Sequence, residues 1–182
     1  MKKLLIILLF VPLVSFGQDE ENKSMDMTVD EYMMRGKERT ESNNFNGAIK
    51  DFTAALKISP DYFIAYTGRA YAKLQKNDYY GAVADYSKAI ELPSGDTNTE
   101  AYFFRGQSKL NITDYYGAIC DYAKTIEIEA EYEYYQYSSS AYANSGFIKE
   151  QLGDLNGACS DWKNAASLGD EKSAQWLRDQ CN

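Results

Sequence analysis

The chain has 182 residues, 45% hydrophobic and 25% charged, with 3 prolines and 12 glycines. That is enough for one domain of ordinary size, and it argues against wholesale disorder, a loop-rich chain or a β-sandwich. The balance of 19 basic against 27 acidic residues, net −8, argues against nucleic acid or an anionic membrane as partner. No histidine is present, which removes His-ligated metal sites, Ser-His-Asp and Cys-His nucleophile pairs and imidazole acid–base chemistry.

The chain opens on Met1-Lys2-Lys3, then an apolar run from Leu4 to Val14 interrupted by Pro12. Small residues at Ser15-Phe16-Gly17 precede Gln18 and a polar, acidic stretch. This is the layout of a secretory signal peptide over residues 1–17, of bacterial style. The apolar run is short for a membrane-spanning helix, so an uncleaved anchor is the lesser alternative. Cleavage after Gly17 removes two lysines and no acid, leaving a more acidic mature chain. The expectation is an exported protein, periplasmic or secreted, with no stable membrane insertion and a polar linker over 18–28.

Beyond the linker the sequence repeats itself. Tyr32-Met33-Met34-Arg35-Gly36 is followed by Asn46-Gly47-Ala48-Ile49-Lys50-Asp51-Phe52. The same pattern recurs from Tyr66 with Tyr80-Gly81-Ala82, from Tyr102 with Tyr116-Gly117-Ala118, and from Tyr142 with Asn156-Gly157-Ala158. The glycines at 47, 81, 117 and 157 step by 34, 36 and 40 residues. Each unit reads as two helices, because spacings of three and four place the aromatic and small residues on one helical face. Small residues let the two helices approach and aromatics fill the groove beside them. Asn43-Asn44, Asn77-Asp78 and Gly153-Asp154 mark the turns between helices, and Pro60 closes the first unit.

These units resemble tetratricopeptide repeats, whose pattern runs aromatic, Gly, Ala, aromatic, Ala and Pro over 34 residues. The resemblance covers about residues 29 to 168. It implies an all-α fold: a right-handed α-solenoid of four helix hairpins plus a C-terminal capping helix. The hairpins fall at about 29–62, 63–96, 99–132 and 139–168, and the cap at 170–181, within one domain over 29–182. The departures are Ser94 and Ala130 in place of the closing Pro, Thr125 for the late Ala, and Arg39, Lys73, Lys109 and Lys149 for the usual second tyrosine. The ending, with Gly169 as helix C-cap, Asp170 as N-cap and Ala174, Leu177 and Arg178 on a short amphipathic helix, resembles the Sel-like branch of the same superfamily.

Arg35, Arg69 and Arg105 share one repeat position; Asp51, Asp85, Asp121 and Asp161 share another. They read as structural ion pairs in preference to a ligand stripe, since a partly buried guanidinium needs a carboxylate. The fourth unit has Ser145 instead of arginine, so pairing between successive repeats would leave one Asp over, facing solvent. Three cysteines in an exported chain suggest one disulfide. Cys159 and Cys181 come opposite each other if the chain folds as an antiparallel hairpin about Gly169, and the bridge should stabilise by ~3 kcal/mol. Cys120 then remains as a half-buried thiol. The run Glu131-Tyr132-Glu133-Tyr134-Tyr135-Gln136-Tyr137 marks the longer insertion. It is either an irregular lead into the next helix or an aromatic patch for a partner.

The resemblance also implies a binding surface, the concave side lined by the first helices. The family's usual groove positions fall on Met33, Lys37, Thr67, Tyr71, Phe103, Gln107, Asn144 and Phe147, with groove and inter-repeat core equally open for Tyr71 and Phe147. Members that grip a terminal carboxylate use several basic and amide side chains; here only Lys37 keeps a basic residue near that pattern. No glycine-rich phosphate loop, nucleophile elbow, EF-hand run or cysteine cluster is present. No metal, cofactor or catalytic residue is therefore expected. The reading is a non-enzymatic scaffold binding another protein or peptide. A self-assembling module, such as a homodimer, or an accessory subunit of an envelope enzyme is the alternative.

Overall fold

The computed structural model describes residues 27–93 and 98–181. The expected signal peptide, residues 18–26 of the linker, and Ser94 lie outside the described residues. Among the described residues there are nine α-helices and no strand. They are α1 (Val29–Glu41), α2 (Phe45–Ile58), α3 (Phe63–Gln75), α4 (Tyr79–Glu91), α5 (Thr99–Asn111), α6 (Tyr115–Glu131), α7 (Ser138–Gln151), α8 (Leu155–Ser167) and α9 (Glu171–Gln180). Each helix packs chiefly against its neighbours in the chain, and the first helices of successive pairs also touch, α1 with α3 and α3 with α5. The architecture is an all-α helical repeat. No described helix is long and apolar enough to cross a membrane.

The turn inside each pair is built from two residues with separate jobs. The first takes a left-handed backbone: Asn43 (φ 59°), Asn77 (φ 62°), Thr113 (φ 62°) and Gly153 (φ 82°). The second caps the following helix. Asn44, Asp78, Asp114 and Asp154 accept from the N–H groups of Gly47, Gly81, Gly117 and Gly157 at 2.9–3.1 Å. A Cβ at Gly81 or Gly117 would collide with the capping carboxylate, so the glycine of the Gly-Ala signature serves the cap. Thr113 is the costly member of the turn set, because a β-branched residue is strained at positive φ. Thr113→Gly is expected to stabilise the protein by about 1 kcal/mol, read as a higher urea midpoint at unchanged slope; no gain would mean the turn relaxes the strain another way.

Within each pair one aromatic of the second helix lies on a small residue of the first. Phe52, Tyr86, Tyr122 and Trp162 are buried. A Cβ added at Gly36 would stand 2.8 Å from the Phe52 ring, and one at Gly106 2.9 Å from Tyr122. Helix separation is thus set by the absent side chain, and the ring fills the space between the backbones.

The recurring charges form ion-pair clamps inside each pair. Arg35 lies 2.6 Å from Asp51, Arg69 2.8 Å from Asp85 and Arg105 2.6 Å from Asp121. A second cation closes on the same carboxylate: Arg39 on Asp51 at 2.7 Å, Lys73 on Asp85 at 2.7 Å and Lys109 on Asp121 at 2.8 Å. Those second cations are the residues that replace the usual tyrosine. Asp161 corrects the expectation of a leftover acid facing solvent: it is 7% exposed and lies 2.7 Å from Lys149. Each arginine also rests over the tyrosine three residues before it, at 5.4–5.5 Å.

The arginines have a further reach. Arg69 donates to Thr53 of the preceding pair at 3.2 Å, and Arg105 donates to Ser87 at 3.1 Å. The corresponding place before the fourth pair is Ala123, and the fourth pair has Ser145 where the arginine would be. Hydroxyl and arginine are absent together at that junction, so the polar tie joins the first three pairs only.

At the C-terminal end α9 folds back on α8. Asp170 caps it from Ser173 N–H at 2.6 Å, and Trp176 lies 5.3 Å from Trp162. Cys159 and Cys181 are bonded, with Cα atoms 5.7 Å apart. Cys120 is exposed, not half-buried as expected, because it sits on the outward side of α6, one residue from the buried Asp121. Alkylation of the unreduced protein is expected to label Cys120 alone; labelling of Cys159 or Cys181 by mass spectrometry would contradict the pairing.

Candidate partner-binding groove

The first helices of the first two pairs enclose an open groove of about 740 Å³. Met33, Met34 and Lys37 of α1 form one wall, and Phe63, Ile64, Thr67 and Tyr71 of α3 the other. Its floor is Phe52, a buried ring packed against Gly68. A Cβ there would stand 2.7 Å from the ring. Met34 is 61% exposed and Ile64 46%. Two large apolar side chains therefore face solvent across one cleft, an arrangement that loses free energy until something covers it.

Beyond Tyr71 the groove is filled by the protein's own rings. The repeat position held by Gly68 is held by Phe104 in the third pair. Phe104 meets Tyr71 edge-on at 5.4 Å and lies parallel to Tyr86 at 6.4 Å. Tyr137, from the insertion before α7, stacks on Phe103 at 4.8 Å and meets Phe104 at 5.8 Å. Of the expected groove residues, Met33, Lys37, Thr67 and Tyr71 line the open part. Phe103 does not: it is 7% exposed, in the core between the third and fourth pairs. Gln107, Asn144 and Phe147 do not line this open part; Asn144 donates to the Tyr122 hydroxyl at 3.4 Å. Tyr71 belongs to both surfaces, lining the cleft and packing on the core.

The insertion is organised by Glu129, a buried carboxylate near the end of α6. It accepts from Tyr137 N–H at 2.8 and 3.0 Å, from Ser138 N–H at 2.8 Å and from the Ser138 hydroxyl at 2.7 Å. Helix α7 has no cap of its own from Tyr137, so Glu129 caps it from the preceding helix. Tyr132, Tyr134 and Tyr135 remain exposed.

Thr40, Thr67 and Asn98 of the open groove are already hydrogen-bonded. Thr67 donates to Phe63 O at 3.1 Å and accepts from Asn98 at 3.5 Å, and Asn98 caps α5 through Ala101 N–H at 3.1 Å. Glu100, at the inner end, differs. No hydrogen bond or ion pair reaches its carboxylate among the described residues, and burial raises its pKa above the ordinary value. Sequence reading passed over it because it lies outside the aligned repeat positions.

The tetratricopeptide repeat profile matches residues 32–62 and 64–96, so the two pairs that form the groove carry tetratricopeptide repeats. Among solved structures, MamA superposes with TM-score 0.71 at 22% identity, covering 80% of this chain and 81% of that one. The TPR2B domain of yeast Sti1, in a pHsp70 complex, gives 0.63 at 22% identity over 68% of this chain and 97% of that one. The first TPR of Spaghetti, bound to the HSP90 peptide SRMEEVD, gives 0.62 at 21% identity over 69% and 94%. These likenesses show a shared tetratricopeptide-type fold. No curated protein sequence matches the chain.

Proposed function

We propose that this protein is an exported, non-enzymatic scaffold that holds a segment of another protein in the groove of its first two repeats. The observation that carries the reading is the cleft itself: exposed Met34 and Ile64 facing each other over an apolar floor. Solved relatives of the fold include domains with a pHsp70 or an HSP90 peptide bound. The signal-like residues 1–17 support export to the periplasm or the medium, and the disulfide suits an oxidising compartment. The α8–α9 ending, Sel-like in sequence, fits a cap that closes the stack. The bound segment differs in kind from the acidic peptide SRMEEVD, because this groove offers one lysine, Lys37, beside Glu41 and Glu100.

The test is affinity isolation from the envelope and medium of the native host with the tagged mature chain and an Ile64→Glu variant of equal helicity. One partner recovered by the parent and lost by the variant is expected. Recovery of only the chain itself by both would favour the self-assembling module instead.

A further inference from the structure

We propose that the inner end of the groove is a subsite for a basic side chain, the lysine or arginine of a partner's extended segment, with Glu100 as its counter-charge. The proposal rests on the groove being a docking site and names what that site selects.

Glu100 lies in the first turn of α5, where the helix dipole favours a carboxylate. Burial nevertheless outweighs that help and raises its pKa. A carboxylate that has lost part of its water and has no donor among the described residues is costly. A ligand donor would remove the cost, and a cation would remove most of it.

Behind Tyr71, in the core on which that ring packs, a second group lacks a partner among the described residues. The Tyr86 hydroxyl is fully buried, does not line the groove and makes no hydrogen bond among the described residues. Its pKa is raised by burial first, then by Glu100, Tyr71 and Tyr137, so these four groups share one electrostatic neighbourhood. Tyr137 is likewise pushed up to about 12, by burial and then by Glu100. The subsite thus offers the Glu100 carboxylate and the ring of Tyr71, both of which line the groove. A positive group can use both, because ring faces attract cations. An acidic group could use neither. The groove walls carry Glu41 and Glu100 against Lys37, and the chain as a whole is at net −8, so a basic segment is also drawn in from a distance. Met34 and Ile64 would take the apolar residues flanking the cation.

The experiment selects a displayed library of random linear peptides on the mature chain. Recovered peptides are then measured as labelled synthetic probes against the parent, Glu100→Gln and Ile64→Glu. Selected sequences are expected to share a lysine or arginine between apolar residues, with binding lost in Ile64→Glu. Replacing the peptide's basic residue by an uncharged isostere, or Glu100 by Gln, should each weaken binding about tenfold or more. The two changes together should cost little more than one. Groove-dependent peptides that lack a basic residue, or whose affinity ignores both changes, would overturn the subsite and leave the groove reading standing. Failure to recover any peptide sensitive to Ile64→Glu would overturn both. The peptide-side change decides the matter even if Glu100→Gln folds poorly.

Discussion

Asp121→Ala is expected to cost about 4 kcal/mol of stability, because it strands two cations at once. The carboxylate is buried and holds Arg105 at 2.6 Å and Lys109 at 2.8 Å, and those side chains are only 16% and 17% exposed. Removing the acid leaves both positive charges in a poor solvent without their counter-charge. It also frees Arg105 from the geometry in which it reaches Ser87, so the tie to the second pair weakens too. The effect should grade along the chain. Asp51 holds Arg35 and Arg39, whose side chains are 36% and 33% exposed. Water can reach both once their partner is gone, so Asp51→Ala should cost visibly less. Urea denaturation at constant slope measures the pair. Equal losses at the two sites, or about 1 kcal/mol or less at Asp121, would show that solvent reaches the inner clamp as readily as the outer one.

Glu129→Ala should cost a comparable amount, about 4 kcal/mol, by a different route. Glu129 meets no cation in the clamp pattern. It satisfies two backbone N–H groups and one hydroxyl at the start of α7, and its loss leaves all three buried or half-buried donors unpaired. Glu129→Gln keeps acceptor capacity and should fall between parent and Ala. The consequence reaches the groove's aromatic filling, because Tyr137, whose backbone N–H Glu129 holds, carries the ring that stacks on Phe103. Amide exchange at Tyr137 and Ser138 should quicken by far more than at Ala158 in α8. Uniform acceleration would mean that Glu129 acts only on global stability and does not hold the insertion in particular.

What the sequence revealed follows from how local each signal is. Helix pairs were legible because Gly-Ala, the following aromatic and the small residue opposite it repeat in register. Their spacing is fixed by contacts inside one pair, such as Phe52 on Gly36. The pairing of Cys159 with Cys181 needed only one turn, at Gly169. The second half of each clamp was harder to see. Arg39, Lys73, Lys109 and Lys149 looked like departures from a tyrosine position, although the cation twelve residues before each Asp carries the same message in every unit. Glu129 was hidden among the acids Glu127, Glu131 and Glu133, which differ from it in burial and not in type. The extent of the groove was hidden for a related reason. Phe103 occupies a groove position in the repeat, but Tyr137 comes from an insertion with no register, and only the folded chain brings one ring onto the other.

The central claim is that a partner lies in the cleft between Met34 and Ile64. Site-specific photo-crosslinking in the native host tests it most directly, with a benzophenone side chain placed at Ile64 and, separately, at Tyr116, an exposed position on α6 outside the groove. The account predicts a single adduct from Ile64 and none from Tyr116. An adduct from Tyr116 alone, or the same adduct from both positions, would contradict it.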